Sequence, residues 1–407
     1  MRPWSSISTP MLPGHGFPVA VMDTATERLT VPVSPGEPAS LYVCGITPYD
    51  STHIGHAATY LAFDLLQRAW LDSGSEVAFV QNVTDIDDPL LERAAKVGQD
   101  WREIADREMN RFRDDCASLR ILPPTHWVSV TEHMEGIVDF IGRLQAAGAT
   151  YLVDQDLYFD TQAAARLGEV ANLDLPKMLE VSAQRGGDPD RPGKRDPLDA
   201  LLWRAEREGE PSWPSPFGAG RPGWHVECLA IAIDFLGSPI SVQGGGSDLV
   251  FPHHDYCSAE ARATGLDFAK TYVHAGMVSL DGAKMSKSLG NLVFVSDLRS
   301  QGVDPMVIRA AIIANHYRHD WQWENSMITT AGARLARWSD AMACPGGAPA
   351  LDVLVAIRAA LSDDLDSPRA MTAVDEWADR TLAGDRTDPT AAGLIARSID
   401  SLLGIAL

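Results

Sequence analysis

The sequence predicts an α/β protein that has a parallel sheet and, after it, a helical C-terminal region. Residues 41–48 are typical of a short buried strand, a helical pattern follows from Thr52, and residues 76–85 read as a second, Val-rich strand. A strand–helix–strand unit with a buried second strand implies a parallel sheet. From about Asp304 the pattern is mostly helical, with a break at residues 344–349.

The helix that follows the first strand has signals for both of its ends. Apolar residues recur at helical spacing between Ile54 and Trp70. Asp50, Ser51 and Thr52 are candidate N-caps because their side chains can accept hydrogen bonds from free N–H groups, and Gly74 can end the helix.

Helices are also predicted for residues 87–120 and 131–148. Residues 185–195 and 211–223 are rich in Gly and Pro and are predicted to be long loops, which are often functional when they lie inside a domain. Residues 240–254 predict a strand, a glycine turn and a helix that begins near Pro252.

The composition is that of a globular protein in a reducing compartment. Its 407 residues are 45% hydrophobic and 22% charged. We find no apolar run of about 18 residues and no signal-peptide pattern, so a cytoplasmic protein without a membrane partner is expected. Five scattered cysteines do not suggest a disulfide framework. The net charge of −21 argues against a large polyanionic partner.

Two histidines, His53 and His56, stand at the predicted start of the first helix. The turn from a parallel strand into a helix binds phosphates well, because free N–H groups and the positive end of the helix point at the ligand. Gly55 would let a nucleotide approach the backbone. A capped helix with two surface histidines is the alternative interpretation of these residues.

A second motif lies in residues 274–291, which predict a strand, a turn and a polar loop. Lys284 and Lys287 in this loop suit a site where charge develops on a polyphosphate and then leaves. A solvated basic loop is the alternative. The combination of HIGH (53–56) and KMSKS (284–288), in this order and about 230 residues apart, is more specific than either motif.

This pair of motifs resembles the class I aminoacyl-tRNA synthetases. NVTDIDD (82–88), RPGWHVEC (221–228) and GGGSDLVFPHH (244–254) are similar to the cysteinyl-tRNA synthetases in particular. The resemblance implies a Rossmann-like, HUP-type catalytic domain at residues 1–292, with an inserted connective region at about 120–215. Residues 293–407 would be a helical region without an anticodon-binding domain.

In the cysteinyl-tRNA synthetases a zinc ion binds the substrate thiol. The resemblance implies that Cys44, Cys228 and His253 are its ligands here. Cys257 stands where that family has a fourth ligand, a glutamate, so the fourth position stays open. Spacing alone would not identify this site, because isolated Cys and His residues far apart in the chain form no recognisable ligand pattern.

The resemblance also implies ATP with Mg²⁺ and L-cysteine as substrates. His53 and His56 would stabilise charge on the α-phosphate, and Lys284 and Lys287 charge on the leaving pyrophosphate. Trp224 could equally be a core aromatic, and Asp248 a turn residue beside three glycines. The residues expected to bind cysteine and its adenylate are Gly45, Ile46, Thr47, Thr59, Asn82, Val83, Thr84, Trp224, Gly246, Ser247, Asp248 and Val278.

The stretch 184–218 departs from the synthetases and resembles the mycothiol ligase family of actinobacteria. This implies glucosaminyl-inositol as the acceptor of cysteine, with Arg185 and Asp188 as candidate contacts. Residues 326–407 hold seven Arg, no Lys and eleven Asp or Glu, which does not suit an RNA-binding surface. We therefore expect a monomer that binds small molecules and no tRNA. A cysteinyl-tRNA synthetase lacking the usual C-terminal domain is the main alternative, and a non-catalytic synthetase-like module is the second.

Overall fold

The structure, a computed structural model, describes residues 1–49, 52–164, 167–285 and 291–407, with the backbone alone for Ala283 and Lys284. The strands are β1 (Val21–Asp23), β2 (Arg28–Thr30), β3 (Ala39–Ile46), β4 (Val77–Val83), β5 (His126–Ser129), β6 (Thr150–Val153), β7 (Asp156–Phe159), β8 (Ala200–Ala205), β9 (Gly220–Pro222), β10 (Ile240–Gly246), β11 (Ala269–Ala275), β12 (Val278–Leu280), β13 (Ala283–Lys284) and β14 (Trp321–Trp323). The helices are α1 (Ile54–Asp72), α2 (Asp88–Val97), α3 (Trp101–Ser118), α4 (Met134–Ala146), α5 (Leu175–Gln184), α6 (Trp224–Leu236), α7 (Asp255–Ala263), α8 (Val295–Ser300), α9 (Pro305–Ile313), α10 (Ser326–Met342), α11 (Leu351–Ser362), α12 (Ser367–Leu382) and α13 (Ala391–Leu403). None of the helices described is both long and apolar enough to cross a bilayer.

The central sheet has the strand order β11–β10–β3–β4–β5, and every neighbouring pair in it is parallel. The predicted α/β class and parallel sheet are therefore confirmed. Helix α1 connects β3 to β4, as the strand–helix–strand pattern indicated. The carboxyl ends of β3 and β10 lie side by side at one edge of the sheet, where ligands bind in folds of this kind.

A second, antiparallel sheet in the order β6–β7–β8–β9 is inserted between β5 and α6. Its strand β9 falls in residues 211–223, which the sequence predicted to be a loop, so that prediction is wrong at residues 220–222. The strand is short and lies at an edge of the sheet, where proline is tolerated because it need not donate to a ladder. Pro222 ends it.

The helix predicted for residues 87–120 is divided into α2 and α3. Gly98 has φ +66° in the left-handed region and ends α2, and Asp100 caps α3 by accepting a hydrogen bond from the backbone N–H of Arg102.

The helix predicted near Pro252 begins instead at Asp255. The segment before it, Val250–His254, does not continue the helix because Phe251 has extended dihedral angles, φ −131° and ψ 136°.

A buried ion cluster joins the helix after β3 to the C-terminal helices. Arg68 Nε donates to Asp64 at 2.8 Å, and Arg309 of α9 also donates to the Asp64 carboxylate. Arg309 donates further to the carbonyl oxygens of Leu403 at 2.6 Å and Leu119 at 2.7 Å. Burial favours the neutral acid, but the two arginines hold the pKa of Asp64 below its usual value. Burial lowers the pKa of Arg309 to about 10.

We predict that Arg309→Ala lowers the free energy of unfolding by about 3–5 kcal/mol, because it removes one of the two arginines that pair with the buried carboxylate of Asp64 and takes a donor away from two carbonyl groups. Urea denaturation followed by fluorescence measures the change. The control is Arg369→Ala, which removes an exposed ion pair with Asp363 and should cost at most about 0.5 kcal/mol. Equal losses in the two variants would contradict the structural role of the cluster.

Candidate active site

A cavity of about 1110 Å³ opens at the carboxyl ends of β3 and β10. Its wall includes Cys44, Gly45, Ile46, Thr47, His53, His56, Thr59, Trp224, Gly246, Asp248 and Val278 from the set predicted from the sequence. Other predicted residues, namely Asn82, Val83, Thr84, Cys228 and His253, are buried behind that wall, and Ser247 follows β10. Lys287 lies outside the described residues, as does the side chain of Lys284.

His53 is itself the N-cap of α1, so the cap is not Thr52, and Asp50 and Ser51 lie outside the described residues. The Nδ1 atom of His53 accepts hydrogen bonds from the backbone N–H of Gly55 at 3.1 Å and of His56 at 3.4 Å. An accepting Nδ1 assigns the proton to Nε2 in the neutral ring.

The two imidazole rings of His53 and His56 are stacked, with 3.8 Å between their centroids and 26° between their planes. Both rings line the cavity at the N-terminus of α1. The positive end of the helix and the two imidazoles thus face the same space, which suits an anion.

The HIGH segment (53–56) is paired through its backbone with the chain just before α8. The N–H of Ile54 donates to the carbonyl oxygen of Val293 at 2.9 Å, and the N–H of Val295 donates to that of Thr52 at 3.0 Å. The segment that follows the KMSKS motif is therefore fixed directly to the start of α1.

At the other end of the cavity, Cys44, Cys228 and His253 form a cluster whose ligand atoms all lie within 4.8 Å of one another. All three are buried, and the Nε2 atom of His253 has no oxygen or nitrogen partner in the described part of the chain. The ring of His253 stacks on Trp224 at 4.3 Å. The cluster is the arrangement that the resemblance implied for a metal.

The two thiols of this cluster have opposite electrostatic environments. Burial raises the pKa of Cys44. Burial also opposes ionisation of Cys228, but the hydrogen bond from Cys44 and the charge on His253 lower the pKa of Cys228 well below its usual value. The two sulfur atoms of the cluster therefore differ in how readily they lose a proton.

A line of hydrogen bonds behind Cys44 was not predicted. Cys44 Sγ lies 3.2 Å from His254 Nε2, His254 Nδ1 lies 2.7 Å from His274 Nε2, and His274 Nδ1 lies 2.6 Å from Thr24 Oγ1. Burial lowers the pKa of His274 to about 3, so that ring stays neutral. Such partners orient a metal-binding group. The adjacent histidines of GGGSDLVFPHH were the available signal, but the partners are distant in the sequence.

Cys257, the residue at the expected fourth ligand position, is directed away from the cluster. It is fully buried, and its Sγ donates to the carbonyl oxygen of His225 at 3.4 Å. Among the described residues the cluster contains three members, and Cys257 is outside it.

Asn82 and Thr84 support the end of β3 from behind. The backbone N–H of Gly45 donates to Asn82 Oδ1 at 2.8 Å, and Asn82 Nδ2 donates to Thr84 Oγ1 at 3.1 Å. Strands β3 and β4 change register between Val43 and Ile46, so this side-chain bond replaces a ladder bond.

The inserted sheet contributes charged side chains to the outer part of the cavity. Asp88 pairs with Arg204 at 3.0 Å and with Arg221. Asp156 pairs with Arg191 at 2.7 Å and with Arg207 at 2.9 Å. Arg191, Arg204 and Arg207 come from the stretch 184–218, which departs from the synthetases, whereas Asp88 and Arg221 lie in blocks similar to the cysteinyl-tRNA synthetases. The sequence analysis proposed no role for these side chains.

The two residues predicted to contact the acceptor, Arg185 and Asp188, both line the cavity. Arg185 donates to the carbonyl oxygens of Asp248 and Phe251, so it braces the turn after β10. Asp188 accepts from Lys194 at 2.9 Å and also from the Tyr158 hydroxyl.

Comparison with known proteins gives a family for the chain. Residues 30–333 match the family described as tRNA synthetases class I (C) catalytic domain. A protein of Streptosporangium roseum named L-cysteine:1D-myo-inositol 2-amino-2-deoxy-alpha-D-glucopyranoside ligase is 57% identical over 100% of both chains. A protein of Thermomonospora curvata with the same name is 56% identical, again over 100% of both chains.

Solved structures of class I synthetases share the fold. Mycobacterium tuberculosis methionyl-tRNA synthetase bound by methionyl-adenylate has a TM-score of 0.66 at 16% identity, covering 90% of this chain and 92% of that one. A leucyl-tRNA synthetase, agnB2 LeuRS of Agrobacterium radiobacter K84 in a ternary complex with tRNA and LeuAMS, has a TM-score of 0.65 at 12% identity, covering 92% of this chain and 84% of that one.

We predict that Gly45→Ala destabilises the protein by about 2–3 kcal/mol, because a Cβ atom there would lie 1.6 Å from the carbonyl oxygen of Asn82. Chemical denaturation measures the change. The matched control is Gly142→Ala in the middle of α4, where a Cβ atom meets nothing within 4 Å and should stabilise the helix by about 0.5–1 kcal/mol. A neutral Gly45→Ala variant would refute the close approach of β3 and β4.

Proposed function

Because this chain belongs to the family of L-cysteine:1D-myo-inositol 2-amino-2-deoxy-alpha-D-glucopyranoside ligases, within the class I (C) tRNA synthetase catalytic-domain family, we propose that it catalyses the reaction in that name. The enzyme is an ATP-dependent ligase that forms a C–N bond between the carboxyl group of L-cysteine and the amine of glucosaminyl-inositol. The reaction passes through cysteinyl-adenylate, releases AMP and pyrophosphate, and belongs to mycothiol biosynthesis.

One observation supports this proposal above all: a single cavity has the cysteine–histidine cluster at one end and two imidazoles at a helix N-terminus at the other. Cys44 and Trp224 line it at the first end, and His53 and His56 line it at the second. A cysteinyl-adenylate carries a thiol at one end and a phosphate at the other, so one molecule of this kind matches both ends.

The cluster of Cys44, Cys228 and His253 fits a zinc ion. Its donors are two sulfur atoms and an imidazole, which are the ligands that zinc prefers, and the buried Nε2 of His253 has no oxygen or nitrogen partner in the described part of the chain. When bound there by three protein ligands, zinc would hold the substrate thiol as a thiolate in its open position. Serine could not form that bond equally well, so selectivity for cysteine would need no editing domain.

In the first step the carboxylate of cysteine attacks the α-phosphorus of ATP, which is bound with Mg²⁺. We assign His53 and His56 to the charge on the α-phosphate, because they lie at the N-terminus of α1. We assign Lys284 and Lys287 to the leaving pyrophosphate on the strength of the KMSKS motif. The residues assigned to binding cysteine and the adenylate remain those predicted from the sequence.

In the second step the amine of the sugar attacks the carbonyl carbon of the adenylate and AMP leaves. The outer part of the cavity, lined by the inserted sheet, is our candidate for the acceptor site. Its alternating acidic and basic side chains, such as Asp88 and Arg204, can hydrogen-bond a polyol.

The boundary between a catalytic domain (1–292, with an insertion at about 120–215) and a helical region (293–407) stays a prediction, as does the monomeric state.

We predict that AMP release with ATP and cysteine is stimulated by glucosaminyl-inositol and not by tRNA, because the proposed acceptor is an amino sugar. A coupled assay for AMP with each acceptor in turn measures this. Stimulation by tRNA alone would favour the truncated cysteinyl-tRNA synthetase. A lack of cysteine-dependent pyrophosphate exchange would instead favour a non-catalytic module.

We predict that Cys228→Ala lowers the affinity for zinc by at least about 100-fold, because removing a ligand should cost no less than removing one of its supporting partners. Titration against a chromogenic chelator measures the affinity. Cys116→Ala is the control, since Cys116 is equally buried but lies in α3 and does not belong to the cluster. Cys257→Ala should also keep its zinc. Full zinc affinity in Cys228→Ala would reject the ligand set.

A further inference from the structure

The carboxylates that line the cavity differ in how they are neutralised. Asp88 and Asp156 each pair with two arginines, and Asp188 pairs with Lys194. Asp87, which also lines the cavity, makes no ion pair with any residue that the structure describes. It is a half-buried carboxylate left available to a ligand.

The position of Asp87 is fixed by the helix that it begins. It is the N-cap of α2, and its Oδ1 accepts a hydrogen bond from the backbone N–H of Asp88 at 2.8 Å. One carboxylate oxygen is therefore used for the cap, and no hydrogen bond to the other occurs within the described part of the chain. The cap hydrogen bond restricts the Asp87 side chain, so its second carboxylate oxygen has a defined position.

Asp87 lines the cavity next to Asp88, whose side chain pairs with Arg204 and Arg221 of the inserted sheet. The charges of Arg221 and of His253 in the cysteine–histidine cluster both act on the Asp87 carboxylate. Asp87 does not belong to that cluster. It therefore borders the outer, charged part of the cavity that we assign to the acceptor.

The acceptor of the proposed reaction is a primary amine, and near neutral pH a large share of such amines carries a proton. An ammonium group has no lone pair and cannot attack a carbonyl carbon. The enzyme must therefore both attract the cation and remove a proton from it. A carboxylate without a cationic partner can do both.

We propose that Asp87 binds the ammonium group of the amino-sugar acceptor and takes its proton, so that the neutral amine attacks the cysteinyl-adenylate. This assignment rests on the proposed ligase function. Burial raises the pKa of Asp87 to about 6, which brings it closer to that of an amine and eases the transfer.

One N–H bond of the ammonium breaks and its proton goes to Asp87 Oδ2. The nitrogen lone pair forms the C–N bond, and the bond between the carbonyl carbon and the phosphate oxygen breaks with its electron pair going to AMP. The nitrogen loses a second proton to the AMP phosphate or to water, and Asp87 returns its proton to solvent at the mouth of the cavity.

Asp87→Asn separates the charge from the structural role, because asparagine caps helices about as well as aspartate. The matched control is Asp100→Asn, the same change at the N-cap of α3, which is exposed and outside the cavity wall. Each full-length, zinc-loaded protein is assayed for cysteine-dependent pyrophosphate exchange and for single-turnover transfer from bound cysteinyl-adenylate. The nucleophile is either glucosaminyl-inositol or hydroxylamine, which is largely unprotonated at neutral pH.

In Asp87→Asn we expect pyrophosphate exchange within about 2-fold of the unmodified protein and transfer to the amino sugar about 100-fold slower, the usual contribution of a general base. The rate of transfer to hydroxylamine should change by no more than about 2-fold, because neutral hydroxylamine needs no deprotonation before it attacks. Asp100→Asn should match the unmodified protein in all three assays.

Three outcomes would overturn the assignment. Unchanged transfer to the amino sugar would show that Asp87 has no role. An equal loss with hydroxylamine would place its effect on the adenylate, and a loss of pyrophosphate exchange would make it the counter-ion of the cysteine ammonium group. If the unmodified protein lacks cysteine-dependent exchange, the proposed function itself fails and this inference fails with it.

Discussion

The buried carboxylate of Asp64 must be neutralised by cations, and this requirement joins two parts of the chain that are distant in sequence. Asp64 lies in the middle of α1, whose N-terminus carries His53 and His56, and it receives Arg68 of the same helix and Arg309 of α9. Arg309 then reaches the end of α13 through Leu403. Helix α1, whose N-terminus we assign to the phosphate, is thus anchored to the C-terminal helices, and the position of His53 and His56 depends on their packing.

At the opposite end of the cavity, the positions of the side chains depend on a different set of contacts. Cys44 ends β3, Cys228 lies in α6, and His253 lies in the turn before α7, so three separate elements converge on one point. Neutral histidines behind Cys44 and the stacked ring of Trp224 hold these groups without bringing further charge near them. In our proposal one end of the cavity binds an anion at the start of α1, and the other binds a soft cation at the end of β3.

The sequence predicted the parts of the fold that depend on local pattern. The alternation of strand and helix around α1 predicted the parallel sheet. The two motifs indicated the end of the cavity that we assign to the phosphate. The grouping of Cys44, Cys228 and His253 came from a family resemblance, because their meeting depends on which strands are neighbours. Asp87 lies within NVTDIDD, but the sequence does not show that Arg204 and Arg221 both pair with Asp88 instead. That Asp87 has no ion pair among the described residues is a property of the tertiary structure.

The backbone pairing between the HIGH segment and residues 293–295 has a consequence for how the protein can vary. Both bonds use main-chain N–H and carbonyl groups, so the identity of the side chains at Val293 and Val295 does not enter them. Of the twenty amino acids, proline alone removes a main-chain donor. Substitutions other than proline at these positions can therefore alter local packing while the backbone pairing between the HIGH segment and residues 293–295 is kept.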